Sequence, residues 1–367
     1  MTDLNNYCPG CMKEKGDAVK CPNCGFEPEA DRNPQLLPYW TILNKRFLLG
    51  RVLGEPGGFG ITYLAWDLSL HTTVAIKEFF PGGRATREPG RTTIRTDGEE
   101  NRDVFKIGVK GFLQEARMLA RFRHPNIVRV RDFFEENNTA YLVMDYYEGV
   151  TLAEYVLRQG GKVSDAIALK LIKPILLGLK EVHHAGFLHR DIKPANIYIT
   201  KEGSPVLLDF GSARFAMGEK TTTLSVILSP GYAPLEQYHQ KGNQGPWTDT
   251  YAVAATLYYM VTGVVPQNCL ERLQSDELKP PRELNREISP HLNHAITRGL
   301  MMEALQRPQS IGALFLLLDS QQTMTYQPGA ATESTASGGA HISHSRPANK
   351  ARSFTALHLF GLMLVVM

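Results

Sequence analysis

The chain has 367 residues, of which 43% are hydrophobic and 21% are charged, and its formal net charge at pH 7 is +3. This length suits one large domain with additional segments, and the hydrophobic content is ordinary for a soluble protein. A net charge so close to zero argues neither for nor against a nucleic-acid partner, and none is predicted.

Four of the five cysteines stand near the start of the chain in two C-x-x-C knuckles, Cys8–Cys11 and Cys21–Cys24. Each tight turn presents two sulfurs to one metal, and two such turns suit the tetrahedral thiolate coordination of zinc. Two disulfides are the alternative, but no secretory signal precedes the knuckles. Residues 1–30 resemble a short zinc ribbon, for which we predict structural Zn²⁺. Zinc ribbons bind nucleic acid or protein, and some only cap a domain, so a protein partner is one of the alternatives that remain open. Residues 31–46 are predicted to be a linker.

Glycines are concentrated at residues 53–60, between two apolar stretches, as expected of a loop that joins two strands. Glycine lets the backbone approach phosphate oxygens closely. The candidate phosphate-binding residues are Gly57, Gly58 and Gly60.

The next strand reads Val74-Ala75-Ile76-Lys77. Alternation places Val74 and Ile76 on one face and Ala75 with Lys77 on the other. This arrangement leaves Lys77 able to reach a ligand while Ala75 lies beside it.

A helix is predicted at residues 112–119, where apolar residues recur at helical spacing and Glu115 flanks the apolar stripe. The preceding residues 81–108 are rich in Gly, Arg and Thr, and we interpret them as an inserted loop or small hairpin. Its arginines either contact a substrate or phosphorylated residue or are merely solvated. These arginines are Arg84, Arg87, Arg91 and Arg95.

Two short segments carry the chemistry: His189–Asn196 reads H-R-D-I-K-P-A-N, and Asp209–Gly211 reads D-F-G. Phosphoryl transfer from a nucleotide needs a carboxylate that orients the attacking hydroxyl, magnesium, and groups that hold the metal. The pair resembles the catalytic and metal-binding loops of eukaryotic-type protein kinases. The amino-acid sequences of these motifs are similar to those of a bacterial branch of the serine/threonine kinases.

The resemblance implies an α+β, two-lobed protein kinase fold over residues 47–319. A small β-rich N-lobe would span 47–147, and a larger, mostly helical C-lobe would span 148–319. The implied cofactors are ATP and Mg²⁺ or Mn²⁺, and the implied partners are proteins that offer Ser or Thr hydroxyls.

The resemblance also assigns roles in phosphoryl transfer. Asp191 would orient the substrate hydroxyl, and Lys193 would neutralise the transferring phosphoryl group. Asn196 and Asp209 would hold magnesium. Lys77, fixed by Glu115, would bind the α and β phosphates.

The adenine site is implied in the same way. Ala75 would lie against the base and Met144 at the back of its pocket, while the backbone of Asp145 to Tyr147 would hydrogen-bond the base. The glycine loop departs from the G-x-G-x-x-G pattern, because Gly54 comes one residue early, as if Pro56 were inserted.

Downstream residues match the family's activation segment and its supports. Glu236 would pair with Arg307, Asp249 would brace the catalytic loop, and Ser229 together with Lys193 indicates serine/threonine specificity. Arg190 would pair with a phosphate on the activation segment, although the candidate acceptors equally suit a polar flexible loop. These candidates are Thr221, Thr222, Thr223 and Ser225.

The C-terminal part changes composition twice. Residues 320–353 are rich in Ser, Thr, Gly, Ala and Gln and are predicted to be a disordered linker. Residues 354–367 are almost wholly apolar and follow basic residues, as on the cytoplasmic flank of a membrane span. The run is shorter than the roughly 20 residues a spanning helix needs. A tail anchor, a truncated span and an amphipathic or docking segment therefore remain open.

The leading interpretation is a serine/threonine protein kinase that also phosphorylates itself and has a cytoplasmic kinase domain. Anchoring of this domain to the inner membrane by the tail is one of the alternatives that remain open. A pseudokinase scaffold acting through the ribbon and tail is the alternative from another class. A small-molecule phosphotransferase with a kinase-like fold is a third. Lys77, Asp191, Asn196 and Asp209 are all present, which argues against a pseudokinase.

Overall fold

The computed structural model describes residues 6–28, 32–54, 58–210, 228–239 and 242–319. The strands in these ranges are β1 (Ile42–Leu43), β2 (Phe47–Val52), β3 (Gly60–Asp67), β4 (Thr72–Phe79), β5 (Thr86–Arg87), β6 (Ile94–Arg95), β7 (Val130–Glu136), β8 (Thr139–Asp145), β9 (Gly149–Thr151), β10 (Ile197–Thr200) and β11 (Pro205–Leu207). The helices are α1 (Glu99–Leu119), α2 (Leu152–Arg158), α3 (Asp165–His184), α4 (Pro246–Thr262), α5 (Cys269–Gln274), α6 (Pro281–Leu284), α7 (Pro290–Gly299) and α8 (Ile311–Asp319).

The first part of the fold is an antiparallel sheet in the order β1-β2-β3-β4-β8-β7, with α1 packed against β7 and β8. Val74 and Ile76 are buried in the core of this lobe. Ala75 faces the other way and joins the core that continues into the second lobe. The predicted alternation along β4 is therefore confirmed.

The second part is mostly helical and centres on α3 and α4, whose inward faces are buried. Ser164 caps α3, because its Oγ accepts a hydrogen bond from the Ile167 amide. The three-stranded sheet β11-β10-β9 lies at the start of this lobe and positions the loops on either side of β10. The predicted two-lobed α+β architecture is confirmed.

The segment predicted as a linker contributes to the first lobe. Ile42 and Leu43 form β1 and pair with β2. Leu37 is fully buried, and its amide donates a 3.1 Å hydrogen bond to the Tyr63 hydroxyl. These residues therefore pack as part of the lobe.

The inserted segment includes the expected small hairpin, formed by β5 and β6, but it ends earlier than predicted. Helix α1 begins at Glu99, so residues 99–108 are helical. Two acidic residues, Glu99 and Glu100, occupy the first turn, where they favour helix initiation. Val104 and Phe105 bury the helix face that the sequence interpretation placed in a loop.

One arginine of the insertion is buried in the lobe. Arg87 is 5% exposed and forms an ion pair with Glu78, which follows Lys77 on β4. Tyr141 donates a 2.9 Å hydrogen bond to the same carboxylate, and Tyr63 donates one of 3.2 Å. A contact with substrate is therefore excluded for Arg87, which instead fastens the hairpin to the sheet.

The remaining arginines of the insertion lie nearer the surface. Arg84 donates to the Asn101 side chain, and Arg95 pairs with Glu88. Arg91 is exposed.

Within the described ranges, no helix has both the length and the apolar character to cross a bilayer. The predicted linker 320–353 and apolar tail 354–367 lie outside the described residues.

We expect Arg87→Ala to lower the free energy of unfolding by about 3–5 kcal/mol, because it leaves Glu78 buried without its cation. Arg91→Ala removes an exposed arginine from the same insertion, and it should change the value by less than about 0.5 kcal/mol. Urea unfolding of the two variants measures the difference. Equal stability would mean that the buried pair does not hold the insertion.

Candidate active site

The catalytic loop is fixed by hydrogen bonds to Asp249, which lies in the first turn of α4. Its buried carboxylate accepts hydrogen bonds from the backbone amides of His189 (2.8 Å) and Arg190 (2.9 Å). His183 of α3 contacts the same carboxylate through Nε2 at 2.7 Å. Burial raises the pKa of Asp249, but these partners outweigh it and hold the pKa below its usual range. The predicted bracing role of Asp249 is confirmed.

Two residues of the site have left-handed backbone conformations. Arg190 has φ of 69° and Asp209 has φ of 47°. Such conformations are costly for residues other than glycine and persist where the surroundings enforce them. The bond from the Arg190 amide to Asp249 supplies part of that enforcement, as does the 2.8 Å bond from Gln237 Nε2 to the Arg190 carbonyl. The role of Gln237 was missed from the sequence, where nothing in its local pattern indicates it.

His189 is buried beneath the site in its neutral form. Nε2 lies 2.9 Å from the Leu208 carbonyl, to which it donates. Nδ1 accepts from the Asp191 amide at 3.2 Å, and the ring packs on Phe210 with centroids 4.2 Å apart. A second ring proton would face the Asp191 amide. Burial lowers the pKa of His189.

Asp191 lies at the centre of a polar cluster. Ser229 Oγ donates a 2.8 Å hydrogen bond to its Oδ1. Lys193 Nζ is 3.2 Å from Asp191 Oδ2 and donates to Ser229 Oγ at 2.7 Å. An alcohol hydroxyl therefore already lies between a carboxylate able to accept its proton and an ammonium able to neutralise a developing negative charge.

The candidate metal ligands are close together in the fold. Asn196 uses its amide nitrogen to bond Asp191 Oδ2 at 2.7 Å, which leaves its amide oxygen as the atom able to hold a cation. The Leu208 amide, next to Asp209, donates to the Asn196 carbonyl at 2.8 Å. A carboxylate and an amide oxygen are hard ligands that suit Mg²⁺.

Lys77 points from β4 into the same region. Its Nζ lies 2.7 Å from Asp209 Oδ1. Among the ion pairs of the described residues, Asp209 and not Glu115 is therefore the partner of Lys77. Glu115 is only 3% exposed on α1. The pair predicted from the resemblance is not among the ion pairs of the described residues, where Lys77 contacts the partly exposed carboxylate of Asp209.

The residues predicted for the adenine site line one side of the sheet. Ala75 and Met144 are register partners on β4 and β8, and both are buried. The Asp145 amide donates to the Arg129 carbonyl at 3.0 Å, so this N–H is used within the protein. The half-buried Tyr147 packs against the same core as Ala75 and Met144. The strand thus provides an apolar wall.

The glycine loop is only partly described. Gly57 and Pro56 lie outside the described residues, and Gly58 is exposed. Gly60 begins β3 opposite Phe79, where an added Cβ would lie 2.7 Å from the Glu78 carbonyl and 3.3 Å from the Lys77 side chain. Glycine is therefore required there by the close approach to β4.

The segment after Ser229 is fixed by a buried ion pair. Arg307 NH1 lies 2.7 Å from Glu236 Oε1, and NH2 lies 3.2 Å from Oε2. Thr248 Oγ1 donates to the same carboxylate at 2.9 Å. The predicted Glu236–Arg307 pair is confirmed. The candidate phosphate acceptors Thr221, Thr222, Thr223 and Ser225 lie outside the described residues.

The four N-terminal cysteines form a second candidate site. Their sulfurs lie within 4.8 Å of one another. Cys8 and Cys24 are 3.7 Å apart at Sγ, and Cys11 and Cys21 are 3.9 Å apart. All four thiols are free, and these separations are far longer than the roughly 2.05 Å of a disulfide. The predicted grouping of the knuckles is confirmed, and the disulfide alternative is not.

We expect the stability of the protein to fall as the pH drops below about 6.5, where an unfolded histidine takes up a proton. Folded His189 has a lowered pKa and resists that proton, so the unfolded state binds more protons and is favoured. His189→Gln keeps a donor and an acceptor but does not titrate. Urea unfolding at pH 7.5 and 5.5 measures the free energy of unfolding, which should decrease less between the two pH values for the variant than for the wild type. Equal losses would contradict a buried neutral His189.

Comparison with known proteins agrees with this geometry. The family model described as "Protein kinase domain" matches residues 47–310. A probable serine/threonine-protein kinase of Clostridium perfringens is 31% identical over 279 residues, which are 73% of this chain and 37% of that protein. The serine/threonine-protein kinase PknL of Mycobacterium tuberculosis is 31% identical over 227 residues, or 62% of this chain and 51% of that protein. The chain thus spans about half, or less, of these relatives.

Two solved structures resemble the fold. The apo form of PpkA-294 is 39% identical with a TM-score of 0.71, covering 78% of this chain and 100% of that chain. The kinase domain of PknI from M. tuberculosis is 21% identical with a TM-score of 0.58, covering 77% and 98% respectively, and it supports the fold alone. The lobes, the catalytic loop and the family match lead to one conclusion: this chain belongs to the protein kinase family.

Proposed function

We propose that the chain is a serine/threonine protein kinase that transfers the γ-phosphoryl group of ATP to protein hydroxyls. The observation that carries the proposal is the hydrogen bond from the Ser229 hydroxyl to Asp191. A substrate alcohol bound in the same way would give up its proton to Asp191 as the phosphoryl group arrives.

Lys193 supports serine or threonine as the acceptor. Its ammonium contacts both Asp191 and Ser229. It would neutralise charge on the transferring group beside a short aliphatic hydroxyl. The relatives whose names describe serine/threonine kinases support the same acceptor class.

The residues that would hold the nucleotide fit its chemistry. Asn196 and Asp209 offer hard oxygen ligands for Mg²⁺ or Mn²⁺, which would bridge the phosphates. Lys77 would bind the phosphates, and its present contact with Asp209 indicates that ammonium and metal ligand face one cleft. The phosphates would also be approached by the backbone of three glycines, Gly57, Gly58 and Gly60. Glu115 remains our proposed anchor for Lys77 when nucleotide is bound.

The adenine would lie against the buried pair Ala75 and Met144. The Asp145 amide is committed to Arg129. The polar contacts with the base would therefore come from other backbone groups between Asp145 and Tyr147.

A pseudokinase scaffold is the second candidate. Such proteins usually lack the lysine, the base or the metal-binding aspartate, whereas this chain has Lys77, Asp191 and Asp209. A small-molecule phosphotransferase is less consistent with the Ser229 segment, which the Glu236–Arg307 pair fixes beside Asp191.

We also propose that the four cysteines bind one structural Zn²⁺. Zinc–sulfur bonds of about 2.3 Å in a tetrahedron place the sulfurs about 3.8 Å apart. The Cys8–Cys24 and Cys11–Cys21 separations of 3.7 and 3.9 Å fit that geometry. Thiolates in two knuckles are the ligand set that structural zinc prefers.

For the partners, we propose only the kind of molecule that the chain binds. Protein substrates with Ser or Thr follow from the proposed reaction, and the activation segment of a second copy is one candidate. A protein partner for the ribbon, and a cytoplasmic kinase domain anchored to the inner membrane through residues 354–367, are further proposals.

The proposed reaction predicts that Asp191→Asn lowers phosphate transfer by about 10²- to 10⁴-fold, the usual contribution of a general base. ATP binding should survive, because Lys77 and Asp209 are untouched. Radiolabelled ATP measures incorporation into the chain and into a mixed protein substrate, and calorimetry measures ATP binding. Phosphoamino acid analysis should give phosphoserine and phosphothreonine.

Asp103→Asn is the matched control, because Asp103 is an exposed carboxylate on α1. It should incorporate as much phosphate as the wild type. Equal incorporation by Asp191→Asn would sink the catalytic assignment. ATP binding without transfer by the wild type would favour the scaffold.

The proposed zinc site predicts one zinc ion per chain in native mass spectrometry of the full-length protein. Cys24→Ala should lose the ion, since three thiolates bind far more weakly than four. Cys269→Ala should keep it, because Cys269 is a lone buried cysteine of α5. A metal-free wild type, or zinc retained by Cys24→Ala at equal affinity, would refute the site.

A further inference from the structure

The first cysteine knuckle is attached to strand β2, which leads into the glycine loop. The Arg51 amide donates a 2.8 Å hydrogen bond to the Pro9 carbonyl. The Arg51 side chain donates from Nε to the Gly10 carbonyl at 3.0 Å. Pro9 and Gly10 are the two residues between Cys8 and Cys11, so the same short turn that presents two thiols also holds Arg51.

The contact is close enough to require glycine at the preceding position. A Cβ on Gly50 would lie 2.2 Å from the Pro9 carbonyl oxygen and 2.1 Å from the Met12 side chain. Cys8 and Met12 are buried at this contact. Any side chain at Gly50 would therefore push the knuckle away from the strand.

The strand is irregular at the same place. In the pairing of β2 with β3, Leu49 faces Ala65 and Val52 faces Tyr63, so β2 contains one extra residue at Gly50–Arg51. A bulge of this kind bends the strand and increases its twist. Here the amide of the bulged stretch bonds to the knuckle instead of to β3. The knuckle therefore stabilises the bend.

Further contacts fix the ribbon to the sheet. Trp40 Nε1 donates to the Tyr7 carbonyl at 3.0 Å, and the Tyr7 ring stacks on Trp66 of β3 with centroids 6.2 Å apart. These contacts flank the first knuckle, so it cannot pivot freely on Arg51 alone.

The bend lies just before the proposed nucleotide site. Arg51 is followed by Val52 and Leu53, whose amide bonds to the Thr62 carbonyl at 2.7 Å, and then by Gly54. The direction in which β2 leaves the bulge thus sets where the glycine loop begins.

We propose that Gly50 and Arg51 are positioning residues that couple the cysteine cluster to nucleotide binding. Metal held by the four thiolates would fix the Pro9 and Gly10 carbonyls, these hold the bulge, and the bulge sets the direction in which residues 52–54 lead towards the phosphate-binding loop. This inference rests on the proposed ATP-binding function and on the proposed metal site. It assigns the ribbon a role in setting the affinity for ATP, besides any role in binding partners.

The test compares Gly50→Ala, Arg51→Ala and Arg51→Lys in the full-length chain. Gly50→Ala and Arg51→Ala should keep one zinc ion in native mass spectrometry. The KM for ATP, and the Kd of a fluorescent ATP analogue, should rise about 5- to 30-fold, which corresponds to one or two lost hydrogen bonds. The kcat should change less than twofold, because the catalytic loop is not touched. Arg51→Lys should restore part of the affinity. Amide hydrogen exchange should increase over residues 50–54.

Gly312→Ala is the matched control, because a Cβ there meets only the Ser310 side chain at 3.7 Å, in the other lobe. Its KM and Kd should equal those of the wild type. Cys24→Ala should weaken ATP binding as Gly50→Ala does, and the double variant should be no weaker than either, since both break one chain of contacts.

Unchanged ATP affinity in zinc-loaded Gly50→Ala and Arg51→Ala would overturn the coupling, and so would additive effects in the double variant. Loss of kcat with an unchanged KM would also overturn it. These outcomes differ from failure of the proposed function, in which the wild type itself would bind no ATP or transfer no phosphate.

Discussion

The catalytic end of the molecule depends on one buried carboxylate. Removing a charge from water costs several kcal/mol unless it is well paired, and Asp249 is paired three times, with His183, His189 and Arg190. Its place in the first turn of α4 adds a favourable helix dipole. Because the partners belong to α3 and to the catalytic loop, this carboxylate joins two helices and a strained loop. The position of Asp191 follows from that junction.

A second buried carboxylate organises the first lobe in a similar way. Glu78 is adjacent to Lys77 on β4, but the two side chains point to opposite faces of the sheet. Glu78 is bonded to Arg87 and to two tyrosines inside the core, whereas Lys77 reaches Asp209 in the cleft. The core network thereby fixes the strand from which the lysine extends.

Much of the site could be predicted because short contiguous motifs specify its local geometry. His189–Asn196 and the Glu236–Arg307 pair were predicted from the resemblance and lie in the fold as expected. The Arg87–Glu78 pair could not be predicted from the sequence, since it depends on how the insertion folds back onto the sheet. The partner of Lys77 depends on how two lobes meet, which no local pattern encodes. The start of α1 could have been predicted from the acidic Glu99 and Glu100 and from the apolar residues Val104 and Phe105, which the structure buries. The bulge in β2 could have been predicted from Gly50, because an isolated glycine within a strand favours a bulge.

The folding unit of this protein is larger than the part that matches its family. The family match begins at residue 47, yet the Leu37 amide bonds the Tyr63 hydroxyl, which in turn bonds Glu78. A fragment that starts at Phe47 would expose the edge of β2, leave the Arg51 amide without the Pro9 carbonyl, and open the buried network to water. A fragment that retains all of these contacts must therefore begin before Pro9 and not at residue 47.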